Sequence, residues 1–454
     1  MKKITLTAIF LMSFNSYAEM NVTSSMSPNN ITERCFYPET VLNFKIEKKQ
    51  IKNFEKLCSI DPYSADTIND TKPAIMCPKL VSSSPGLYLI ENEHNLEKSQ
   101  FKALICSGRR PLKNVNNENY KKLAKFKTSL GFTKAHASVV YNYLSKMVFQ
   151  NLTVPEAVFR SMDYIELKKE TALALEQVKK LQIPKSQIIV DSWTYLNELY
   201  MNHKPPTQLK FDDQTILGIL IKDLKAIQYV ELAAGPTTDS AQEKNLVYQN
   251  IFLEKPIIKN YSNIQKNEIQ NLIEAQGISE MFVIDTLLSQ RDRYGSYGNI
   301  HYIPTWLKIS ENNLDFDQAT LDESKSRVLA AEIKEKQAQG FILVKKIALI
   351  DNDGAIKNTD QNSNKKRNVI SRLRHLPQET YNRIMKLNQQ LQDSKNIEDF
   401  EHSFLLQESE IKAIVMNLKE ISATLKTNCK NGFLKLDLNT EDIAAQKLNG
   451  SICE

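Results

Sequence analysis

The amino-acid sequence predicts an α+β fold of two lobes, a small β-rich N-terminal lobe and a mainly helical C-terminal lobe. Short strand-like segments bounded by turn residues occur between Cys77 and Cys106. From Glu268 onward helical periodicity dominates, interrupted by two polar loops. Between the two halves lies the turn 233–236, Ala-Ala-Gly-Pro, which we expect to be a hinge.

Residues 1–18 have the pattern of a secretory signal peptide. Lys2 and Lys3 form the positive start, an apolar stretch runs from Ile4 to Phe14, and a small-residue cleavage site ends at Ala18. The apolar stretch is too short to span a bilayer, which needs roughly 20 residues. We therefore expect a periplasmic or secreted protein with no membrane span, and the short signal looks bacterial.

Six cysteines follow the predicted cleavage site. In an oxidising compartment an even number favours disulfides over a zinc site, and no Cys-x-x-Cys is present. Six cysteines allow 15 pairings, so the connectivity stays open. The grouping along the chain suggests four cysteines in the N-terminal region and a separate C-terminal pair, in the order Cys35, Cys58, Cys77, Cys106, Cys429 and Cys453.

The charge of the chain indicates no dedicated nucleic-acid binder. The formal net charge is +6 and becomes less positive when the two lysines of the signal are removed. The sequence also lacks a Gly-x-Ser-x-Gly elbow, a Walker loop, a dinucleotide fingerprint and a His-Glu-x-x-His motif. These observations disfavour hydrolases with a nucleophile elbow, Walker-type NTPases, dehydrogenases with the dinucleotide fingerprint and His-Glu-x-x-His zinc proteases.

The predicted elements divide the mature chain into three parts. Residues 19–75 are polar and predict a loop-rich, cysteine-containing extension. Residues 76–232 predict the N-terminal lobe, with strands at 79–81, 87–90, 100–105 and 154–160 and helices at 118–150 and 163–181. Residues 233–454 predict the C-terminal lobe, with a charged insertion at about 310–340.

The two polar loops carry the candidate chemistry. The first follows an apolar helix, begins with Asp292-Arg293 and closes with Gly298-Asn299. The second follows a strand and reads Asp351-Asn-Asp-Gly354. Three of only 12 glycines lie in these loops, where the backbone must bend sharply or approach a ligand. An aspartate after a helix, an asparagine beyond it and an aspartate after a strand form the acidic half of a phosphoryl-transfer site.

Each candidate residue has a role that suits its chemistry. Asp292, at a loop tip, would position an attacking hydroxyl, whereas Asn299 and Asp351 would supply oxygen ligands to a divalent cation. Lys102, on a predicted strand, is the candidate for contacting nucleotide phosphates. Asp353 is part of an Asp-Gly turn signal, so Asp351 is the favoured metal ligand.

These motifs resemble the atypical kinases of the secretory pathway, the Golgi casein-kinase and four-jointed families, and the HipA and spore-coat CotH kinases. The resemblance rests on Asp292-Arg293, on Gly298-Asn299 and on the Leu-Ile-Asp-Asn segment that contains Asp351. It implies a bilobed protein-kinase-like fold, Asp292 as the catalytic residue and Asp351 as a metal ligand. It also implies ATP or another nucleotide, Mg²⁺ or Mn²⁺, and transfer to a protein, sugar or lipid hydroxyl.

Two alternatives stay open. The helix after Lys102 has no evident glutamate partner for that lysine, and ATP is scarce outside the cytoplasm, so an inactive pseudokinase that acts as a binding scaffold is the first. An exported α+β protein unrelated to kinases is the second. The basic cluster of Lys365-Lys-Arg367, Arg372 and Arg374 fits either an acidic substrate or a solvated charged face.

Overall fold

A computed structural model describes most of the chain from Met20 to Thr440, together with Cys453. The described ranges are 20–63, 72–91, 98–106, 121–130, 133–181, 186–201, 212–229, 245–258, 265–291, 293, 300–310, 313–319, 321–322, 327–328, 330–356 and 363–440. The predicted signal peptide at 1–18 and the predicted hinge at 233–236 lie outside these ranges. Within them the protein is a mixed α+β fold.

The largest element is an eight-stranded mixed sheet with the order β1-β2-β9-β10-β8-β7-β6-β5. Its pairs are antiparallel except for β5 with β6, which run parallel. The strands are β1 (Met20–Met26), β2 (Thr32–Pro38), β5 (Ile60–Asp61), β6 (Lys72–Pro78), β7 (Leu87–Glu91), β8 (Lys122–Lys127), β9 (Ala157–Asp163) and β10 (Thr215–Lys222); a small hairpin of β3 (Thr40–Val41) and β4 (Phe44–Lys45) lies outside the sheet.

The N-terminal extension is part of this sheet, and the prediction of a loop-rich segment was wrong. Strands β1 and β2 add to the edge beside β9, and α1 (Lys48–Cys58) follows them. The disulfide Cys35–Cys58 joins β2 to the end of α1. The buried Arg160 of β9 donates to Glu33 Oε2 at 2.8 Å. The polar composition was misleading because β1 lies at the sheet edge with several exposed side chains.

Residues 98–106 are helical, so the strand predicted at 100–105 was also wrong. Helix α2 (Lys98–Phe101) continues into a π-helical turn, Lys102–Cys106, and the disulfide Cys77–Cys106 attaches this segment to β6. Phe101 and Ile105 are buried against the apolar side chains of β6 and β7. Their spacing of four residues matches one face of a helix, a signal that is hard to separate from a strand in so short a segment.

The helix predicted at 118–150 is two elements, strand β8 and helix α3 (Ala137–Met147). The strand predicted at 87–90 is β7, whereas the strand predicted at 79–81 was wrong, because β6 ends at Pro78 and Lys79 begins the loop that leads to β7. The predicted strand at 154–160 is β9, and the charged helix is α4 (Tyr164–Lys180). Helix α5 (Ser186–Met201) packs on α4, and β10 then returns to the centre of the sheet.

The second half of the chain combines a smaller sheet with helices. Strand β12 (Ile300–Ser310) pairs with β11 (Ile227–Gln228), β13 (Asn313–Gln318) and β16 (Ile342–Leu349). The helices are α6 (Leu246–Asn250), α7 (Lys266–Leu287), α8 (Ala330–Ala338), α9 (Ser363–Lys366), α10 (Val369–Arg372), α11 (Gln378–Gln390), α12 (Ser394–Ser403) and α13 (Glu408–Lys430). The largest cluster of buried apolar side chains has members from Cys35 to Leu438 and so includes both halves of the chain.

Two features of this half hold its parts together. The charged segment predicted as an insertion contains β13, the β14–β15 pair (Leu321–Asp322 with Arg327–Val328) and α8, and it packs on the buried Trp306. The C-terminus is joined to α13 by the disulfide Cys429–Cys453. The three disulfides therefore follow the grouping expected from the sequence and fit an exported protein. Within the described ranges, no helix is long and apolar enough to cross a membrane.

Candidate functional site

The second acidic loop forms a sharp turn at the end of β16. Asp351 has φ 53° and ψ 57°, the left-handed conformation that is uncommon for a residue with a side chain, although aspartate tolerates it best after asparagine and glycine. A 3₁₀ turn (Asn352–Gly354) follows, and Asn352 Nδ2 donates to Leu349 O at 3.1 Å. Such backbone conformations concentrate at functional sites, because the surrounding structure must hold them.

Two lysines of β8 contact this turn. Alternate residues of a strand face the same side, so Lys125 and Lys127 both point from β8 toward Asp351. Lys125 Nζ lies 2.8 Å from Asp351 Oδ1. Lys127 Nζ lies 3.5 Å from the same oxygen and 2.9 Å from Asp353 Oδ2. The Lys127 side chain is only 2% exposed, so its charge is almost fully removed from water.

The loop between β6 and β7 closes over the same cluster. Ser84 Oγ donates to Asp353 Oδ2 at 2.8 Å, and Lys79 N donates to Gly86 O at 2.9 Å. Gly86 lies directly on β8, since a Cβ at this position would come within 2.9 Å of Phe126 O. The loop 79–86 therefore crosses the sheet surface next to the β8 lysines.

The charges of this cluster shift one another's protonation. The pKa of Asp351 lies well below its usual range, chiefly because of the positive charge of Lys125, with Lys79 and Lys127 adding to the effect. Burial lowers the pKa of Lys79 to about 7, and the nearby Lys127 ammonium adds to that effect. For Lys127, burial is outweighed by Asp353 and Asp351, so its pKa is raised. We call these five residues, Lys79, Lys125, Lys127, Asp351 and Asp353, the lysine–aspartate cluster.

Arg293 links this cluster to the first acidic loop. Its Nε donates to Asp285 Oδ2 of α7 at 2.7 Å, and its Nη2 donates to Asn352 Oδ1 at 2.7 Å. Tyr141 of α3 donates to the other oxygen of Asp285, also at 2.7 Å. The buried Arg293 thus joins the end of α7 to the Asp351 turn, and this described residue of the first loop contacts the second loop.

The four predicted site residues have different outcomes. Asp292 and Asn299 lie outside the described residues. Asp351 is at the centre of the lysine–aspartate cluster. Lys102 forms an ion pair with Glu170 of α4, and no contact among the described residues joins it to Asp351. Of the two that the structure describes, Asp351 is in the cluster and Lys102 is not.

Sequence reasoning missed Lys79, Lys125, Lys127 and Ser84. A signal was present, since residues 124–127 alternate apolar and polar side chains as a strand does. The apolar helix that follows hid it, because one long helix was predicted across both elements. The contact between β8 and the turn after β16 joins residues that are far apart in the sequence. Lys125 and Asp351, for example, are separated by 226 positions.

The carboxylates of the cluster fit a magnesium or manganese ion. Mg²⁺ is usually held by one or two carboxylates together with waters and substrate phosphates. Asp351 and Asp353 supply two carboxylates from one turn, with Asp351 about one-third exposed. Over the described ranges no group of three or more His, Cys, Asp or Glu side chains forms a metal cage, and a nucleotide-dependent site does not require one.

In comparisons with known proteins, no protein-family model matches the chain and no curated protein matches it in sequence.

Proposed function

We propose that this protein is an exported kinase-like phosphotransferase that moves a phosphoryl group from a nucleotide to a protein, sugar or lipid hydroxyl. The observation that carries the proposal is the lysine–aspartate cluster at the end of β16. It combines ammonium groups suited to phosphate oxygens with carboxylates suited to a divalent cation.

The order of elements supports the same proposal. In protein kinases, a loop between two strands covers the phosphates, a lysine on the third strand contacts them, and an aspartate after a later strand holds metal. Here the loop 79–86 joins β6 to β7, Lys127 lies on the next strand of the sheet, and Asp351 follows β16. We therefore assign phosphate contact to Lys127 and Lys125 in place of Lys102.

The proposed reaction distributes the work among a few side chains. Asp351 and Asp353 would hold Mg²⁺ or Mn²⁺, which neutralises charge on the phosphate oxygens when bound. Lys125 and Lys127 would orient the phosphates. Asp292 would accept the proton of the acceptor hydroxyl. The hydroxyl oxygen of the acceptor would bond to the terminal phosphorus as the bond to the leaving nucleoside diphosphate breaks.

One observation favours the scaffold alternative. In active kinases the strand lysine pairs with a glutamate of the following helix. Helix α3 contains no acidic residue, and the described partners of Lys127 are Asp351 and Asp353. On this alternative the lysine–aspartate cluster would bind a partner without transferring phosphate.

A phosphoryl-transfer assay with the mature, oxidised protein, radiolabelled ATP and Mn²⁺ tests the proposal. Asp292→Ala should abolish transfer, including transfer to the protein itself, while its unfolding midpoint stays unchanged. Asp317→Ala is the matched control, because Asp317 is 61% exposed and pairs only with the surface Lys336 in the described structure. Full activity in Asp292→Ala would refute the role of Asp292, and transfer in neither wild type nor control would favour the scaffold.

A further inference from the structure

A second polar–apolar site lies between α6 with the residues after it and the end of α10. An open hollow of about 400 Å³ is lined by Tyr248, Gln249, Phe252, Leu253, Arg372 and Arg374. We call it the arginine hollow. Arg372 ends α10, a helix that contacts α7, whose C-terminal end leads to Asp292.

The apolar floor of the hollow is fixed to the core. The ring centroids of Tyr248 and Phe252 are 5.5 Å apart, and Phe252 lies 5.5 Å from the fully buried Phe282 of α7. These aromatic contacts hold the floor in place, so an incoming apolar side chain meets a preformed surface. Leu253 and the nearby Phe433 are 44% and 47% exposed, which leaves apolar area at the rim.

The two arginines are oriented by contacts that leave donors available. The Arg372 guanidinium lies 5.0 Å from the centre of the Phe252 ring and, within the described part of the chain, has no hydrogen bond or ion pair. Arg374 lies 5.7 Å from the Phe433 ring, and among described residues its guanidinium donates only through Nη1, to the carbonyl oxygens of Ser371 and Leu373. A guanidinium stacked on a ring keeps its planar fork of N–H donors for a carboxylate.

We infer that the arginine hollow docks an acidic peptide segment of the acceptor, with an apolar or aromatic side chain on its floor and flanking carboxylates on Arg372 and Arg374. Charge complementarity supports this occupant, because two arginines lie beside the hollow. A concave site of this size suits an inserted side chain better than it suits a flat lipid surface. The inference rests on the proposed function, since it names an acidic protein as the acceptor class.

Fluorescence anisotropy without nucleotide tests the docking separately from phosphoryl transfer. The probe is a labelled peptide in which one phenylalanine has two aspartates on each side, and the matched peptide has four asparagines instead. We expect the aspartate peptide to bind the wild-type protein at least about tenfold more tightly than the asparagine peptide. Equal affinity for the two peptides, or no binding of either, would overturn the inference.

Variants locate the binding. Arg372→Gln and Arg374→Gln should each weaken the aspartate peptide by roughly tenfold. Arg383→Gln is the control, because it removes the same charge from α11, where Arg383 pairs only with the exposed Glu379 among described residues. Equal weakening by all three variants would indicate nonspecific charge attraction. Binding to phosphatidylserine vesicles but to neither peptide would replace the inference with a membrane site.

Discussion

Replacing Lys127 with methionine tests the electrostatics of the lysine–aspartate cluster. Lys127→Met keeps an unbranched side chain, one atom shorter, and removes its charge. In the native protein Lys127 Nζ lies 2.9 Å from Asp353 Oδ2, with side-chain exposures of only 2% and 8%. Removing one partner of a buried ion pair costs about 3–5 kcal/mol, because the other charge is left buried without compensation.

Lys125→Met is the matched control. Lys125 contacts Asp351, whose side chain is 32% exposed, so water compensates much of the lost contact. We expect this variant to cost less than Lys127→Met, because Asp351 is partly hydrated and keeps Lys127 as a second partner at 3.5 Å. The second substitution Asp353→Asn, made in the Lys127→Met protein, should restore part of the stability because the unpaired buried charge is gone.

Urea unfolding of the oxidised protein, followed by circular dichroism, measures these differences. We expect a much larger loss of unfolding free energy for Lys127→Met than for Lys125→Met, with unchanged slopes against denaturant. Equal losses for the two variants, or no recovery in the double variant, would refute the reasoning that Lys127 is the buried partner of Asp353.

Two further predictions concern the packing and ionisation of α7. Burial raises the pKa of Glu280 to about 7, although Thr380 and Asn151 hydrogen-bond to its carboxyl. Between pH 4.5 and 7 the folded protein therefore keeps a proton that the unfolded chain has lost, so the free energy of unfolding falls as the pH rises. The full contribution of Glu280 is present at low pH and decreases by about 3 kcal/mol over this range. Glu280→Gln should remove that slope in urea unfolding measured from pH 4 to 8, and an unchanged slope would contradict it. Gly277→Ala should cost about 1–3 kcal/mol, because its Cβ would lie 2.5 Å from Ile347 Cγ1 of β16. In the same unfolding assay the cost should be smaller in an Ile347→Ala background, which removes Cγ1, and full stability of Gly277→Ala would contradict this close packing of α7 on β16.

Local patterns in the sequence predicted several elements and the disulfide grouping well. The helix now seen as α4 carries a clear 3.6-residue period, and its N-cap Asp163 accepts a hydrogen bond from Ile165 N at 2.8 Å. The cysteines were grouped correctly because each disulfide closes a short stretch of chain, from 23 to 29 residues. These features depend on neighbours in sequence.

The candidate site was predicted only in part, because it depends on distant contacts. Asp351 could be selected from its own turn, since an acidic loop after a strand is a local pattern. Its partners could not, because Lys125 and Lys127 come from a strand that was predicted as helix. Lys102 was selected from a segment whose apolar residues fit a strand and a short helix equally well, and it pairs with Glu170 instead.

Thermal unfolding of the mature, oxidised protein with and without ATP and Mn²⁺ measures whether the lysine–aspartate cluster binds a nucleotide and metal. Wild type and Asp317→Asn should be stabilised by the nucleotide–metal pair, whereas Asp351→Asn should lose that stabilisation, since ligands that bind only the folded state raise its stability. The lysine–aspartate cluster would then be the nucleotide site. Equal stabilisation of Asp351→Asn, or none in wild type, would contradict the account.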